Sequence, residues 1–71
     1  MLPSEAKQKV EELTGRIDAV KGEMVKIKQE IDRFVSQNLL VETKEAQADY
    51  NRLQQRRVQL EQELAKYRRF W

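Results

Sequence analysis

The side chains able to do chemistry in this chain are carboxylates, lysines, arginines and a few hydroxyls, because the sequence contains neither His nor Cys. Histidine is the commonest general base and metal ligand, and cysteine supplies the thiolates of structural zinc sites. The carboxylates form scattered pairs without a metal, nucleophile or phosphate-loop spacing: Glu11/Glu12, Glu42/Glu45 and Glu61/Glu63. We therefore expect a protein that is not an enzyme and that uses no cofactor, metal ion or small-molecule substrate.

A basic and aromatic segment near the C-terminal end, AKYRRFW, offers a different chemistry, namely contact with a partner. It combines three basic residues with three aromatic ones: Lys66, Arg68, Arg69, Tyr67, Phe70 and Trp71. Arginine beside aromatic rings is typical of protein interface hot spots and of surfaces that stack bases and neutralise phosphates. From Arg52 to Trp71 six basic residues accompany two acids, whereas the first 36 residues carry seven of each. The basic character therefore belongs to the C-terminal part.

Two long amphipathic helices would position these side chains. In the first half, apolar residues recur in alternating steps of three and four, with Val10 taken as heptad position a: Ala6, Val10, Leu13, Ile17, Val20, Met24, Ile27, Ile31 and Phe34. This spacing is typical of a coiled-coil seam. Ser4 and Glu5 suit an N-cap and a first helical residue. The pattern predicts a first helix over about 5–36.

The second half repeats the spacing in a different heptad frame, with Leu39 at position d. Its seam would contain Leu39, Thr43, Ala46, Tyr50, Leu53, Arg57, Leu60, Leu64, Tyr67 and Trp71. Relative to the first frame it is displaced by five residues, which in a continuous helix rotates the apolar stripe by about 140°. In one straight helix the apolar residues of the two halves would lie on different sides, so a partner that covered one half would leave the apolar residues of the other half exposed. We therefore predict a turn near 37–40, where Asn38 can adopt a left-handed conformation, and a second helix over about 41–70.

The predicted fold is all-α, an antiparallel two-helix coiled-coil hairpin formed by one domain spanning 1–71. Folding about the peptide between residues 38 and 39 pairs seam residues whose numbers sum to 77, from Phe34/Thr43 at the turn to Ala6/Trp71 at the open end. The same register predicts ion pairs between the helices, Glu23 with Arg56 and Arg16 with Glu63. A chain of 71 residues buries little apolar surface alone, so we expect a homo-oligomer. A dimer is the first expectation among homo-oligomers, and in it two hairpins form a four-helix bundle.

Three residues of the predicted helices depart from the ordinary pattern. Arg57 lies in the seam, where its guanidinium must extend to solvent along its aliphatic stem or pair with an acid such as Glu61 or with a neighbouring chain. Gly15 and Gly22 lie at the outer position f of the first helix, although glycine weakens helices. They either form a smooth groove for a partner helix or are simply tolerated.

The leading functional hypothesis is a protein-protein interaction or assembly module that self-associates or docks on a larger protein partner, acting as an adaptor, scaffold or small chaperone. Its candidate contact residues are the small-residue stripe, the turn and the basic aromatic end: Gly15, Ala19, Gly22, Leu39, Leu40, Arg68, Arg69 and Phe70. The alternative is a nucleic-acid-binding accessory protein, whose phosphate contacts would be Arg52, Arg56, Lys66, Arg68 and Arg69. No apolar run reaches the about 18 residues of a membrane span and no secretion signal is visible, so we expect a cytoplasmic protein.

Overall fold

The computed structural model describes residues 2–70, which form two helices and no strand. Helix α1 extends over Pro3–Ser36 and helix α2 over Leu40–Arg68. The helices pack against each other as an antiparallel hairpin whose principal extents are 53 × 14 × 10 Å. The predicted all-α hairpin is confirmed. Since the thinnest extent is only 10 Å, the molecule is one helix thick.

The first helix begins two residues earlier than its sequence pattern suggested. Leu2 is the N-cap, with an extended backbone, and Pro3 is the first helical residue. The predicted cap at Ser4 is therefore wrong, and Ser4 and Glu5 both lie inside α1. Proline suits the first helical position because its fixed φ is already helical and the missing N–H would have no partner there. The N–H of Ala6 donates to the Leu2 carbonyl at 3.0 Å, which closes the first turn.

The turn is a Schellman motif built around Asn38. This residue has a φ of 58°, the left-handed conformation that the sequence predicted. The N–H of Leu39 donates to the Phe34 carbonyl at 2.9 Å, and the N–H of Asn38 donates to the Val35 carbonyl at 3.1 Å. Phe34 and Leu39 are both half-buried, where the motif commonly places an apolar pair. Because the motif uses only three residues after α1, α2 begins at Leu40 rather than at 41.

The C-terminal boundary of α2 also differs from the expectation. The helix ends at Arg68, two residues before the predicted 70, and the N–H of Phe70 donates to the Tyr67 carbonyl at 3.0 Å in a tighter final turn. Such tightening is common where the last carbonyls of a helix lack a following turn of partners.

The seam of α1 agrees with the heptad prediction at every position. Each buried or half-buried residue of α1 is one of the nine predicted seam residues, and every other residue of α1 is exposed. In α2 the predicted seam residues from Thr43 to Tyr67 are likewise buried or half-buried, and they are joined by Gln54 and Glu61 at heptad position e. The period of the apolar residues therefore determined which side of each helix faces the other.

The core lies at the end of the hairpin opposite the turn. Its buried cluster joins residues from both helices, with Val20 and Tyr67 packed against it: Val10, Leu13, Ile17, Leu60 and Leu64. These residues belong to adjacent layers of the predicted register, which pairs numbers that sum to 77. The register therefore agrees with the observed packing, and the expected pairing of Ala6 with Trp71 lies outside the described residues.

The ion pairs expected between the helices do not form. All four ion pairs within residues 2–70 join residues of the same helix. Arg16 is bound to Glu12 at 2.8 Å instead of Glu63, and no pair joins Glu23 to Arg56. A partner one helical turn away is always within reach, whereas a pair across the seam must order two long side chains for a small gain.

Candidate functional site

The two helices give the hairpin two broad faces, one on each side of the seam. One face, here called the groove face, is formed by heptad positions e and b: Ser4, Lys7, Glu11, Thr14, Asp18, Lys21, Val25, Lys28, Asp32 and Val35 of α1 with Leu40, Lys44, Gln47, Asn51, Gln54, Val58, Glu61, Ala65 and Arg68 of α2. The other, here called the charged face, is formed by positions g and c. Its charged members are Glu5, Lys9, Glu12, Arg16, Glu23, Lys26, Glu30 and Arg33 of α1 with Glu42, Glu45, Asp49, Arg52, Arg56, Glu63 and Lys66 of α2.

The groove face is the side on which seam residues remain accessible from outside. Three open depressions follow one another along it. The central one is lined by Met24, Val25, Tyr50 and Arg57 among others. The depression near the open end includes Ile17 and Leu64, and the one near the turn includes Ile31 and Tyr50. A groove with apolar seam residues at its base and charged side chains along its sides, such as Lys21, Lys28 and Glu61, therefore runs along most of this face.

Exposed aliphatic side chains are concentrated on the same face. Val25 and Val58 lie at position b and are 57% and 40% exposed, and Val35 and Leu40 lie at position e beside the turn. Sequence reasoning missed this surface because it followed the seam alone. The signal was present in the charge pattern, since nine of the nineteen helical residues at e and b are charged, against fifteen of the seventeen at g and c.

Arg57 reaches from the seam into the central depression. Its side chain is 27% exposed, and one terminal nitrogen donates to Glu61 at 3.3 Å on the next turn of α2. The arginine therefore combines the two predicted solutions, an extended stem and an intrahelical acid. Its Nε is buried and has no hydrogen-bond acceptor within residues 2–70. A buried N–H without an acceptor is destabilising, so the Nε of Arg57 is an unsatisfied hydrogen-bond donor.

The small-residue stripe lies away from the groove face. Gly15 and Gly22 are exposed at the outer edge of α1, and Ala19 is exposed at position c beside them. A Cβ added at either glycine would meet nothing within 4 Å. Within the hairpin, neither glycine is required by close packing.

Replacing Gly15 and Gly22 together with alanine is expected to stabilise the hairpin. Each substitution removes backbone freedom from the unfolded chain and should contribute about 1 kcal/mol, since nothing obstructs the added methyl groups. Urea unfolding at one fixed protein concentration measures the gain, and Ala19→Gly is the reverse control. A double variant that gained no stability, or that lost self-association, would indicate that a partner packs against the stripe.

The two leucines predicted at the turn have different environments. Leu39 is half-buried and belongs to the Schellman motif, whereas Leu40 is 75% exposed on the groove face. Exposed Val35 and Val41 lie near it in the chain. Leu39 therefore has a structural role in the turn, and Leu40 is the member of the predicted pair that is available for contact.

The basic residues proposed for nucleic acid are all exposed but do not share a face. Arg52, Arg56 and Lys66 lie on the charged face among many acids, and Arg52 is paired with Asp49 at 3.5 Å. Arg68 lies on the groove face and Arg69 at the outer edge of α2. Phosphate binding favours basic groups clustered on one surface, and this arrangement spreads them around the end of the hairpin. Phe70, which completes the predicted aromatic contact, is about half-exposed beside them.

Within residues 2–70, neither helix has a stretch long and apolar enough to cross a bilayer. The same residues include no group of three or more carboxylates arranged to hold a metal ion. Comparison with protein-family models, with curated proteins and with solved structures found no match for this chain.

Proposed function

We propose that this chain is a cytoplasmic, non-enzymatic interaction module, of the adaptor, scaffold or small-chaperone kind, that works by self-association into a four-helix bundle. The observation that carries the proposal is the incomplete burial of the seam near the turn. From Ile27 to Leu53, every seam residue except Ala46 is only half-buried or less, whereas the seam at the open end is largely buried. A single hairpin therefore leaves much of its apolar surface in water.

Covering that surface would be favourable. Removing apolar surface from water contributes roughly 25 cal/mol per Å², and a layer one helix thick cannot cover both sides of its own seam. Small helical domains commonly solve this problem by packing two hairpins into one bundle. The charged residues on the opposite face would then keep the assembled bundle dissolved.

Nucleic-acid binding is the weaker candidate. The chain carries a formal net charge of only +2, and its basic residues are interspersed with acids on the charged face. A surface of mixed sign gives little of the counterion release that drives phosphate binding. We therefore propose that the basic residues keep the protein dissolved and stabilise the C-terminal ends of the helices, and that they do not bind phosphates.

Thermal unfolding at several protein concentrations tests the proposal. If the folded state is an oligomer, dilution shifts the equilibrium towards unfolded chains, so the midpoint should fall by several degrees over about a hundredfold dilution. Circular dichroism of the helical signal follows the transition. A midpoint that is independent of concentration would contradict self-association and would describe a hairpin that folds alone.

A further inference from the structure

We propose that two copies of this chain pack through their groove faces, so that four helices enclose the exposed side of both seams. This assignment of the interface rests on the self-association proposed above. The occupant of the groove is thus a second copy of the chain, and the charged face of each copy remains on the outside of the bundle.

The dimensions of the face match the needs of a stable dimer. The broad side of the hairpin measures 53 by 14 Å between Cα positions, and the product is about 740 Å². Stable protein interfaces bury about 800 Å² on each partner. A copy laid along the full length of either broad side would therefore approach the size of an ordinary dimer interface, whereas the narrow edge, 53 by 10 Å, would fall well short of it.

The difference in charge between the two broad faces favours the groove face as the dimer interface. Seam residues line its grooves, where Tyr50 is half-buried and Met24 is buried, and the exposed Val25 and Val58 lie beside them. On the charged face most positions carry a full charge, and burying such groups costs more than their pairing returns unless every partner is well placed. The cores of protein interfaces are correspondingly depleted of charged residues.

The charges on the groove face allow contact with an identical surface. Along α1 both signs occur, with Asp18 beside Lys21 and Lys28 beside Asp32. In a dimer with two-fold symmetry the same patch meets itself, so a patch of one sign would repel its copy and a patch of both signs need not. The face is therefore compatible with a second copy in a way that a purely basic or acidic face is not.

Arg57 supplies a further reason for a second copy. It lines the central depression, and the register whose numbers sum to 77 pairs it with Val20 in the middle layer of the seam. Its buried Nε has no acceptor in the hairpin, and its bond to Glu61 leaves other donors of the guanidinium available. A carboxylate on a second copy, packed over the groove, would accept from the terminal nitrogens that do not bind Glu61, whereas the Nε is enclosed by the hairpin itself.

Glutamate substitutions on the groove face test the assignment, with sedimentation velocity used to measure the dimer dissociation constant of the full chain. Val25→Glu and Val58→Glu should each raise that constant by about tenfold or more, because a charge would be buried at the interface. Val41→Glu is the matched control, since it makes the same change at an exposed valine on the outer edge of α2. It should leave the constant within about twofold of the wild type.

Circular dichroism of each variant shows whether the hairpin is still folded, and if one groove-face variant loses its helices the other decides the result. An unchanged constant in a folded groove-face variant, or dissociation caused by Val41→Glu alone, overturns the assignment while leaving self-association intact. A wild-type protein that is monomeric at every concentration overturns both the assignment and the proposed function.

Discussion

Replacing Leu60 with alanine is expected to lower the free energy of unfolding by about 3 kcal/mol, the largest loss from any single substitution considered for this chain. Leu60 is only 1% exposed and is the most fully buried large side chain of the hairpin. It packs in the core cluster with Val10, Leu13, Ile17 and Leu64. Truncation removes its apolar contacts and leaves a cavity that two rigid helices cannot close completely.

The matched control for Leu60→Ala is Val41→Ala, on the outer edge of the same helix. Val41 is 64% exposed and alanine has the higher helix propensity, so the net loss there should stay below about 1 kcal/mol. Urea unfolding of both variants and the wild type, at one protein concentration, compares the two losses. Similar losses at both positions would mean that the seam of α2 is not turned towards α1 as described.

Replacing Arg57 with leucine is expected to raise the free energy of unfolding by about 1–2 kcal/mol. The guanidinium occupies a seam position, where its Nε is buried without an acceptor and its ion pair with Glu61 is long, at 3.3 Å. Removing one member of an ion pair is costly when the other stays buried, but the Glu61 side chain is 43% exposed and its carboxylate remains hydrated without Arg57. The substitution therefore removes the desolvation cost of the guanidinium without leaving a buried charge. The variant should also form more than one register or oligomeric state, since a polar seam residue commonly specifies both.

Arg56→Leu is the control for Arg57→Leu, because Arg56 is exposed on the charged face. Its substitution should change stability by less than about 0.5 kcal/mol. Chemical denaturation gives the two differences, and sedimentation of the same samples gives their masses. A clear loss of stability in Arg57→Leu would contradict this description and would mean that the bonds of Arg57 outweigh the cost of burying it.

The sequence predicted the seam and the turn well because both depend on local, periodic information. Alternating steps of three and four place side chains on one side of a helix whatever the partner is, so the buried side of α1 followed from Val10 to Phe34 without error. Likewise the frame displacement required a turn, and Asn38 was the residue there best able to adopt a positive φ.

The ends of the helices and the ion pairs were harder to predict because several local solutions differ little in energy. Ser4 is a good capping residue, yet Pro3 already satisfies the start of α1 and leaves Ser4 inside the helix. Arg16 could face Glu63 across the seam or Glu12 one turn away, and the nearer partner costs less ordering. Such choices depend on side-chain geometry that the heptad pattern does not contain.

The groove face was not predicted because it depends on how the two helices lie together. Val25 and Val58 are isolated valines in their own helices, and each is unremarkable in the sequence. They fall on one side only after the register places both at position b of facing helices. The sequence instead drew attention to Gly15 and Gly22, which the hairpin leaves at an outer edge without neighbours.

Sedimentation equilibrium of the wild-type chain tests the central claim most directly, because it measures mass without reference to shape. Two copies joined through their groove faces should give twice the chain mass of 8.5 kDa, with dissociation towards a single chain only on dilution. A mass of 8.5 kDa up to the highest concentration at which the protein dissolves would contradict the account. The groove would then be a surface that this chain does not cover with a copy of itself.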